Sequence, residues 1–123
     1  MPKIELIIFA ESEGSSPFLQ WLDLQPPKVQ DKCIVFIERL EEYGYELRRP
    51  QVDYLKDGIY ELRVIRHGIN YRILYFFNKS QAIISHGFVK KTKKVPENEI
   101  NTAIKNRIKF LANPEKHTYK EEQ

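Results

Sequence analysis

The stretch LKDGIYELRVIRHGINYRILYFFNKSQAIISHGFVKKTKK, residues 55–94, decides the fold of this 123-residue chain. Two runs rich in β-branched and aromatic residues, 59–66 and 69–77, flank His67-Gly68. A two-residue turn containing glycine between such runs is typical of a β-hairpin. A second turn at 78–80 and a third strand over 81–88 follow. We therefore expect an antiparallel meander at the centre of the protein.

The turn also sets the register of the predicted hairpin, provided that Arg66 and Ile69 close it. One face is then apolar and is predicted to be the core side, because side chains alternate with period two. Its pairs are Val64 with Tyr71, Leu62 with Ile73, and Tyr60 with Tyr75. The other face pairs Ile65 with Asn70, Arg63 with Arg72, and Glu61 with Leu74.

Arg63 lies directly opposite Arg72 in this register. Like charges that face each other across a sheet are unfavourable, and nothing in the strand pattern requires them. One interpretation is that the two arginines bind an anion. The alternative is a pair of solvated arginines on an exposed face, with Glu61 as their local partner.

Length and composition indicate one globular domain, with 41% hydrophobic and 30% charged residues. No apolar run approaches a membrane span, and the N-terminus lacks the pattern of a signal peptide, so a cytoplasmic location is expected. Cys33 is the single cysteine, which excludes an internal disulfide, and it falls in an apolar helical stripe. The three histidines are scattered, so neither a metal nor a cofactor is predicted.

The charges are distributed unevenly along the chain. Residues 1–55 carry a net charge of −4, residues 56–94 carry +7, and residues 95–123 are neutral. We expect the acidic first half and the basic sheet to form opposite sides of the molecule. A concentrated positive surface favours a polyanion as partner, and RNA or DNA is the simplest candidate.

The first part of the chain is predicted to form a strand and a short helix. Residues 3–9 are apolar enough for a strand covered on both faces. A helix then begins at Ser15 or Ser16, whose hydroxyl caps it, with Pro17 at the first helical position. The dipeptide Pro26-Pro27 ends this helix.

A longer helix is predicted over residues 27–43, with Gly44 as its C-terminal cap. Residues 45–53, interrupted by Pro50, are interpreted as a connection into the sheet. Arg48 and Arg49 in this connection would extend the basic surface.

A lysine cluster follows the third strand: Lys90, Lys91, Lys93 and Lys94. Its position after a strand and before a helix suits binding of a phosphate backbone, and the alternative is a flexible solubilising loop. Pro96 opens a last helix, which Asn113-Pro114 ends. Its predicted packing stripe consists of Ile100, Ala103, Ile104, Ile108 and Leu111.

The predicted fold class is α+β, in the order β-α-α-β-β-β-α. It consists of an antiparallel sheet with the helices packed on one face, which leaves the arginine face open. Residues 1–114 form a single domain in this prediction, and residues 115–123 form a polar, mobile C-terminal tail.

Three segments carry a resemblance to a known family: LKDGIYELR at 55–63, YRILYFF at 71–77 and HGFVKKTKKVPENEI at 86–100. Together with the preceding helix pair, they make the chain similar to the RelE/ParE toxin superfamily, and within it to the HigB-like, phage-derived branch. This resemblance covers nearly the whole chain and implies a RelE-like fold.

The resemblance also implies a function. RelE and HigB members are toxins of type II toxin–antitoxin systems that cleave messenger RNA, generally on the ribosome, with basic side chains rather than a metal. The expected partners are a cognate antitoxin and ribosome-bound mRNA, with operator DNA bound only indirectly through the antitoxin. The alternative is a ParE-like gyrase inhibitor, or a non-catalytic member that only binds antitoxin.

The resemblance assigns expected roles to residues of this chain. Arg63 and Arg72 occupy strand positions where the family keeps basic catalytic residues, and the cluster Lys90, Lys91, Lys93 and Lys94 would bind the RNA backbone. Glu61 stands where RelE has a lysine, so it is either the base for the 2′-hydroxyl or a salt-bridge partner of Arg63. His86 suits acid–base catalysis, although strict alternation also allows it to be a buried core histidine. His117 and Tyr119 lie in the tail, where no alignment fixes a role.

Overall fold

The computed structural model describes residues 4–121. Its elements are β1 (Glu5–Ile8), α1 (Pro17–Asp23), α2 (Pro27–Tyr43), β2 (Val52–Lys56), β3 (Ile59–Arg66), β4 (Ile69–Asn78), β5 (Gln81–Lys90) and α3 (Glu97–Ala112). Within this range the strands form one sheet in the order β1-β5-β4-β3-β2. The predicted α+β class agrees with this architecture, but the sheet is mixed rather than antiparallel, because β1 pairs in parallel with β5.

The central hairpin has the predicted register. All six predicted pairs between β3 and β4 are present, including Arg63 opposite Arg72. His67 and Gly68 both have positive φ angles, of 49° and 75°. Such a turn matches the right-handed twist of the two strands that it joins.

The helix starts and stops also follow local signals. The Ser16 hydroxyl accepts a hydrogen bond from the backbone N–H of Leu19 at 3.1 Å, so Ser16 caps α1 as predicted. α2 occupies the predicted residues 27–43, and Gly44 follows it with a φ of 53°. Cys33 lies on the buried face of α2 and is fully buried in the core, as its helical stripe predicts.

β2 is a strand that the sequence prediction treats largely as a connection. It pairs antiparallel with β3 and places Asp53 directly opposite Glu61. One turn of 3-10 helix, Gly44–Glu46, precedes it. Pro50 interrupts the segment before the strand begins, which is why the run 52–56 is easily mistaken for a linker.

β5 is longer than predicted and contains a bulge. Leu74 of β4 pairs with His86, whereas the next residue, Tyr75, pairs with Ile84. Ser85 is therefore an extra residue in β5. The bulge brings both Ser85 and His86 to the side of the sheet on which α3 packs. There the side chain of His86 contacts Glu99 of α3, and that of Ser85 accepts a hydrogen bond from Asn106 of α3.

The helices cover both faces of the sheet, so the prediction that they share one face is wrong. α1 and α2 pack on the face that carries Leu62 and Ile73. α3 packs on the arginine face, where its apolar residues meet a second set of buried strand residues: Ile59, Leu74, Phe76, Ile83 and Phe88. The arginine face is therefore open only beyond the start of α3.

The packing face of α3 also differs from the predicted stripe. Ile100 and Ala103 are buried as expected, but Ile108 is 64% exposed and Leu111 is 51% exposed. Phe110 takes the core position instead. Each residue of an α-helix is rotated by about 100° from the one before it, so Ile108 and Phe110 lie on different sides of α3. The helix therefore has two apolar stripes, and the sheet contacts only one of them.

Part of the predicted mobile tail is bound to β1. The backbone N–H of Tyr119 donates to Ile8 at 2.7 Å, and the His117 ring stacks on Phe9 with centroids 5.4 Å apart. The prediction of mobility is therefore wrong for these residues. The predicted start of the first strand at residue 3 and the last two tail residues lie outside the described part of the chain, and the domain boundary at 114 stays a prediction.

Candidate functional site

An open cleft of about 330 Å³ lies on the α3 side of the sheet. Strands β2, β3 and β4, the end of β5 and the first turn of α3 form its walls. Six cationic side chains and two carboxylates line it: Lys56, Arg63, Arg72, Lys90, Lys93, Lys94, Asp53 and Glu61. We call it the basic cleft. Such an excess of positive charge in a concave site attracts anions.

Glu61 lies between the two opposed arginines at the floor of the basic cleft. Nε of Arg72 is 2.9 Å from Oε1 of Glu61, and Nε of Arg63 is 3.9 Å from Oε2. The Arg72 side chain is only 2% exposed, whereas that of Arg63 is 32% exposed. The carboxylate therefore offsets the repulsion between two guanidinium groups, one of which is almost completely buried.

The hydrogen-bonding capacity of this triad is only partly used. Arg72 donates through Nη1 to the carbonyl of Tyr71 at 3.3 Å. Within the described residues, however, Nε of Arg72, Nε of Arg63 and Oε1 of Glu61 have no well-directed hydrogen-bond partner. Buried polar groups without a partner cost free energy. Arg72 and Glu61 are nevertheless in close contact, at 2.9 Å, so the triad is held together chiefly by the attraction between its opposite charges.

Burial and charge act in opposite directions on the triad. Burial raises the pKa of Glu61 above its usual value, and the attraction of Arg72 and Arg63 counteracts this rise in part. Burial likewise lowers the pKa of Arg72, while Glu61 opposes the change. An arginine side chain still stays cationic near neutral pH. A carboxylate whose pKa has moved upwards is a better proton acceptor near neutrality than an ordinary one.

Lysines form the rim of the basic cleft. Lys90 ends β5 and donates from Nζ to the carbonyl of Lys93 at 2.8 Å, which holds the following loop against the strand. Lys93 and Lys94 also line the cleft, whereas Lys91 is exposed and is not part of its walls. On the opposite side, Lys56 forms an ion pair with Glu97 at the start of α3.

His86 is not part of the walls of the basic cleft. Its Nε2 lies 2.9 Å from Oε1 of Glu99, and its Nδ1 lies 2.8 Å from the Ser85 hydroxyl. Asn106 donates to the same hydroxyl at 2.9 Å. With a proton on Nε2, both ring nitrogens of His86 and the Ser85 hydroxyl have hydrogen-bond partners in this series. The geometry fits a role in holding α3 on β5, and Glu99 adjoins Ile100, a residue of the cleft wall.

His117 and Tyr119 lie beside β1, at the end of the sheet remote from β2 and β3. Three strand spacings, or about 14 Å, separate β1 from β3. Four residues of the cleft wall have no predicted role in the site, and all four come from β2: Asp53, Tyr54, Leu55 and Lys56. The alternation of Val52 and Tyr54 with Asp53 and Leu55 is the signal that identifies this strand.

Between residues 4 and 121, no three histidine, cysteine, aspartate or glutamate side chains are grouped so that they could hold a metal ion. In the same part of the chain, no helix has both the length and the apolar character needed to cross a membrane.

Comparison with known families assigns the chain to one of them. The family model described as phage derived protein Gp49-like (DUF891) matches residues 20–109, a range that contains every residue of the basic cleft. The chain belongs to the Gp49-like family. This family is part of the RelE/Gp49 toxin-like group, so the predicted relationship is confirmed at that level, and the HigB-like branch stays a prediction.

Gp49-like proteins are toxin-like and phage-derived, which is compatible with a toxin of a toxin–antitoxin system and suggests an antitoxin as partner. A comparison with curated proteins found no match.

Proposed function

We propose that this Gp49-like protein is a HigB-like toxin of a type II toxin–antitoxin system and that it cleaves messenger RNA without a metal. The observation that carries the proposal is the position of Arg72. Its guanidinium is buried in the wall of a cleft lined by six cations, and its Nε has no well-directed partner among the described residues. The six cations outnumber the two carboxylates of the cleft, and a phosphodiester supplies negative charge that balances this excess.

The proposed reaction is attack by a ribose 2′-hydroxyl on the adjacent phosphorus. The oxygen–phosphorus bond forms as the bond to the 5′-oxygen breaks, which leaves a 2′,3′-cyclic phosphate and a free 5′-hydroxyl. Arg72 and Arg63 bind the phosphate oxygens and stabilise the charge that develops on them. The lysines of the rim hold the neighbouring phosphates, because they lie along the mouth of the cleft.

We assign the proton transfer from the 2′-hydroxyl to Glu61. Glu61 lies at the floor of the cleft between the two arginines, and burial raises its pKa. The same carboxylate positions both arginines, so the two roles that the sequence leaves open are compatible. The leaving 5′-oxygen takes its proton from a lysine ammonium group at the rim, since none of the described residues that line the basic cleft is a histidine.

The proposed substrate is message on the ribosome, and the proposed regulator is a cognate antitoxin. An antitoxin that inhibits by occupying the basic cleft would present acidic side chains to its six cations. Operator DNA would be bound only through the antitoxin in such a complex.

The test is primer extension on messenger RNA after brief expression in cells that lack the neighbouring gene. The test variant is Arg63→Ala, because Arg63 is partly exposed and its loss is compatible with folding. Arg66→Ala is the matched control: Arg66 lies on the same strand, but it lines a groove on the other face, formed with α2.

Wild type and Arg66→Ala should generate new 5′ ends within translated frames, and Arg63→Ala at equal protein level should not. The new ends should carry a 5′-hydroxyl, so polynucleotide kinase should label them without prior phosphatase treatment. Growth arrest without new ends would contradict RNA cleavage and favour a gyrase-type target. Neither arrest nor cleavage would favour a member that only binds antitoxin.

A further inference from the structure

A second groove, of about 510 Å³, lies on the other face of β2. Its main lining residues are three tyrosines and two arginines: Tyr45, Tyr54, Tyr60, Arg48 and Arg49. We call it the tyrosine groove. Asp53 and Tyr54 belong to the walls of both this groove and the basic cleft. The two sites therefore meet across a single edge strand, because successive residues of β2 point to opposite faces.

The tyrosine rings are held in place while they remain accessible. Tyr45 is 53% exposed and Tyr54 is 52% exposed. The Tyr54 hydroxyl accepts a hydrogen bond from the backbone N–H of Gly58 at 3.0 Å, and its ring meets Tyr60 edge-on. Tyr45 donates from its hydroxyl to Lys79 at 2.6 Å. These contacts fix the rings without covering them, so little side-chain entropy is lost when a flat ligand stacks on them.

The arginines add charge beside the aromatic surface. Arg49 binds Asp53 through two contacts, of 3.1 and 2.7 Å, and this pairing lowers the pKa of Asp53. Arg48 contacts only backbone carbonyls among the described residues, so no carboxylate neutralises it there. Guanidinium groups both bind phosphate and stack on bases.

We propose that the tyrosine groove binds a nucleobase of single-stranded RNA whose neighbouring phosphodiester lies in the basic cleft. This inference rests on the proposed function and extends it to a second subsite. Stacking on tyrosine tolerates any base, because each base has a π-face. The groove therefore adds affinity for unpaired RNA without selecting one base. A duplex does not fit, since its bases are stacked on each other and are not free to enter.

The first experiment is an NMR titration of the full-length, nitrogen-15-labelled protein. The probe is an RNA tetranucleotide with a 2′-O-methyl group on every ribose, which blocks cleavage. Its matched control is the same backbone with abasic residues. The base-containing probe should shift the amide signals of Tyr45 and Arg48, which line only the tyrosine groove, as well as those of Arg63 and Lys90. The abasic probe should shift only the second pair.

The second experiment measures affinity with variants of Tyr54. Tyr54→Ala should weaken binding of the base-containing probe by about 5- to 150-fold, the effect of one lost stacking contact, and should weaken binding of the abasic probe far less. Tyr54→Phe keeps the ring and should bind like the wild type.

The outcomes separate this inference from the proposed function. Shifts confined to the basic cleft, or unchanged affinity for Tyr54→Ala, would overturn the base subsite and leave RNA binding intact. If the amide signals of the tyrosine groove shift only when the protein encoded by the neighbouring gene is added, the base subsite would be overturned in favour of a protein interface. The absence of shifts in both sites would count against the proposed function as well.

Discussion

Replacement of Arg72 by methionine tests how much the buried ion pair between Arg72 and Glu61 stabilises the fold. Methionine matches the length of the arginine stem but carries no charge. Glu61 would then lie in a buried site without the guanidinium that is now 2.9 Å away. Breaking a buried pair by removing one partner typically costs about 3–5 kcal/mol. We expect Arg72→Met to lose that much free energy of unfolding at pH 7.

The loss should depend on pH in a defined direction. Burial already raises the pKa of Glu61, and removal of the Arg72 charge raises it further. A carboxyl group with a raised folded-state pKa contributes its full stability below the unfolded value, 4.5, and loses it as the pH rises through the folded value. Lowering the pH from 7 to 5 should therefore restore up to about 2.7 kcal/mol, or about 1.36 kcal/mol per pH unit for one proton.

Two reference variants isolate this effect. Arg72→Met combined with Glu61→Gln removes both charges, and it should recover most of the lost stability at pH 7, because a buried pair can often be replaced by neutral side chains. Arg63→Met removes the more exposed arginine, 3.9 Å from Glu61, and should cost less than about 1 kcal/mol. The free-energy gap between the single and the double variant should shrink as the pH falls.

Urea denaturation measures these differences. For an m-value of about 2 kcal/mol/M, the midpoint of Arg72→Met should fall by about 2 M at pH 7 relative to the wild type. An unchanged midpoint would refute the reasoning, as would a double variant that is less stable than Arg72→Met. A gap between the two variants that stays constant from pH 7 to pH 5 would show that Glu61 is not the group that titrates.

Three further predictions follow from the structure. The rate of RNA cleavage should rise with pH through the raised pKa of Glu61, because only the ionised carboxylate accepts a proton, and Glu61→Gln should lack this limb in single-turnover assays. Burial raises the pKa of Cys33 to about 11, so its reaction with Ellman's reagent at pH 8 should be at least about 100-fold slower in the folded protein than in urea, and equal rates would contradict its burial. Gly87→Ala would place a Cβ atom 2.3 Å from the Trp21 ring, and the resulting overpacking should cost about 1–3 kcal/mol in thermal unfolding, whereas unchanged stability would mean that the ring moves freely.

Local patterns in the chain were sufficient for the central hairpin and the two N-terminal helices. The register of β3 and β4 follows from period-two alternation and from the turn at His67-Gly68, both of which depend on residues close in sequence. The Ser16 cap is equally local. The same alternation places Glu61, Arg63 and Arg72 on one face, so the floor of the basic cleft could be predicted from the sequence alone.

The strand and the bulge around the cleft were harder to predict. β2 is short and follows Pro50, and its place in the sheet depends on pairing with β3 rather than on its own pattern. The extra residue Ser85 in β5 breaks the alternation from which the orientation of His86 is inferred. A one-residue change in register moves a side chain to the other face of a sheet.

The burial of the cleft floor depends on the packing of α3. The sequence places apolar residues on both faces of the sheet and two apolar stripes on α3, so it specifies which elements form but not which surfaces meet. Contact through Phe110 rather than Ile108 puts α3 over the arginine face. The start of α3 then lies at the cleft, where Ile100 lines the same wall as Arg72 and Glu61, and burial of these two side chains shifts their pKa values. Alternation along β3 and β4 selects the charged residues of this site, whereas long-range packing determines their electrostatics.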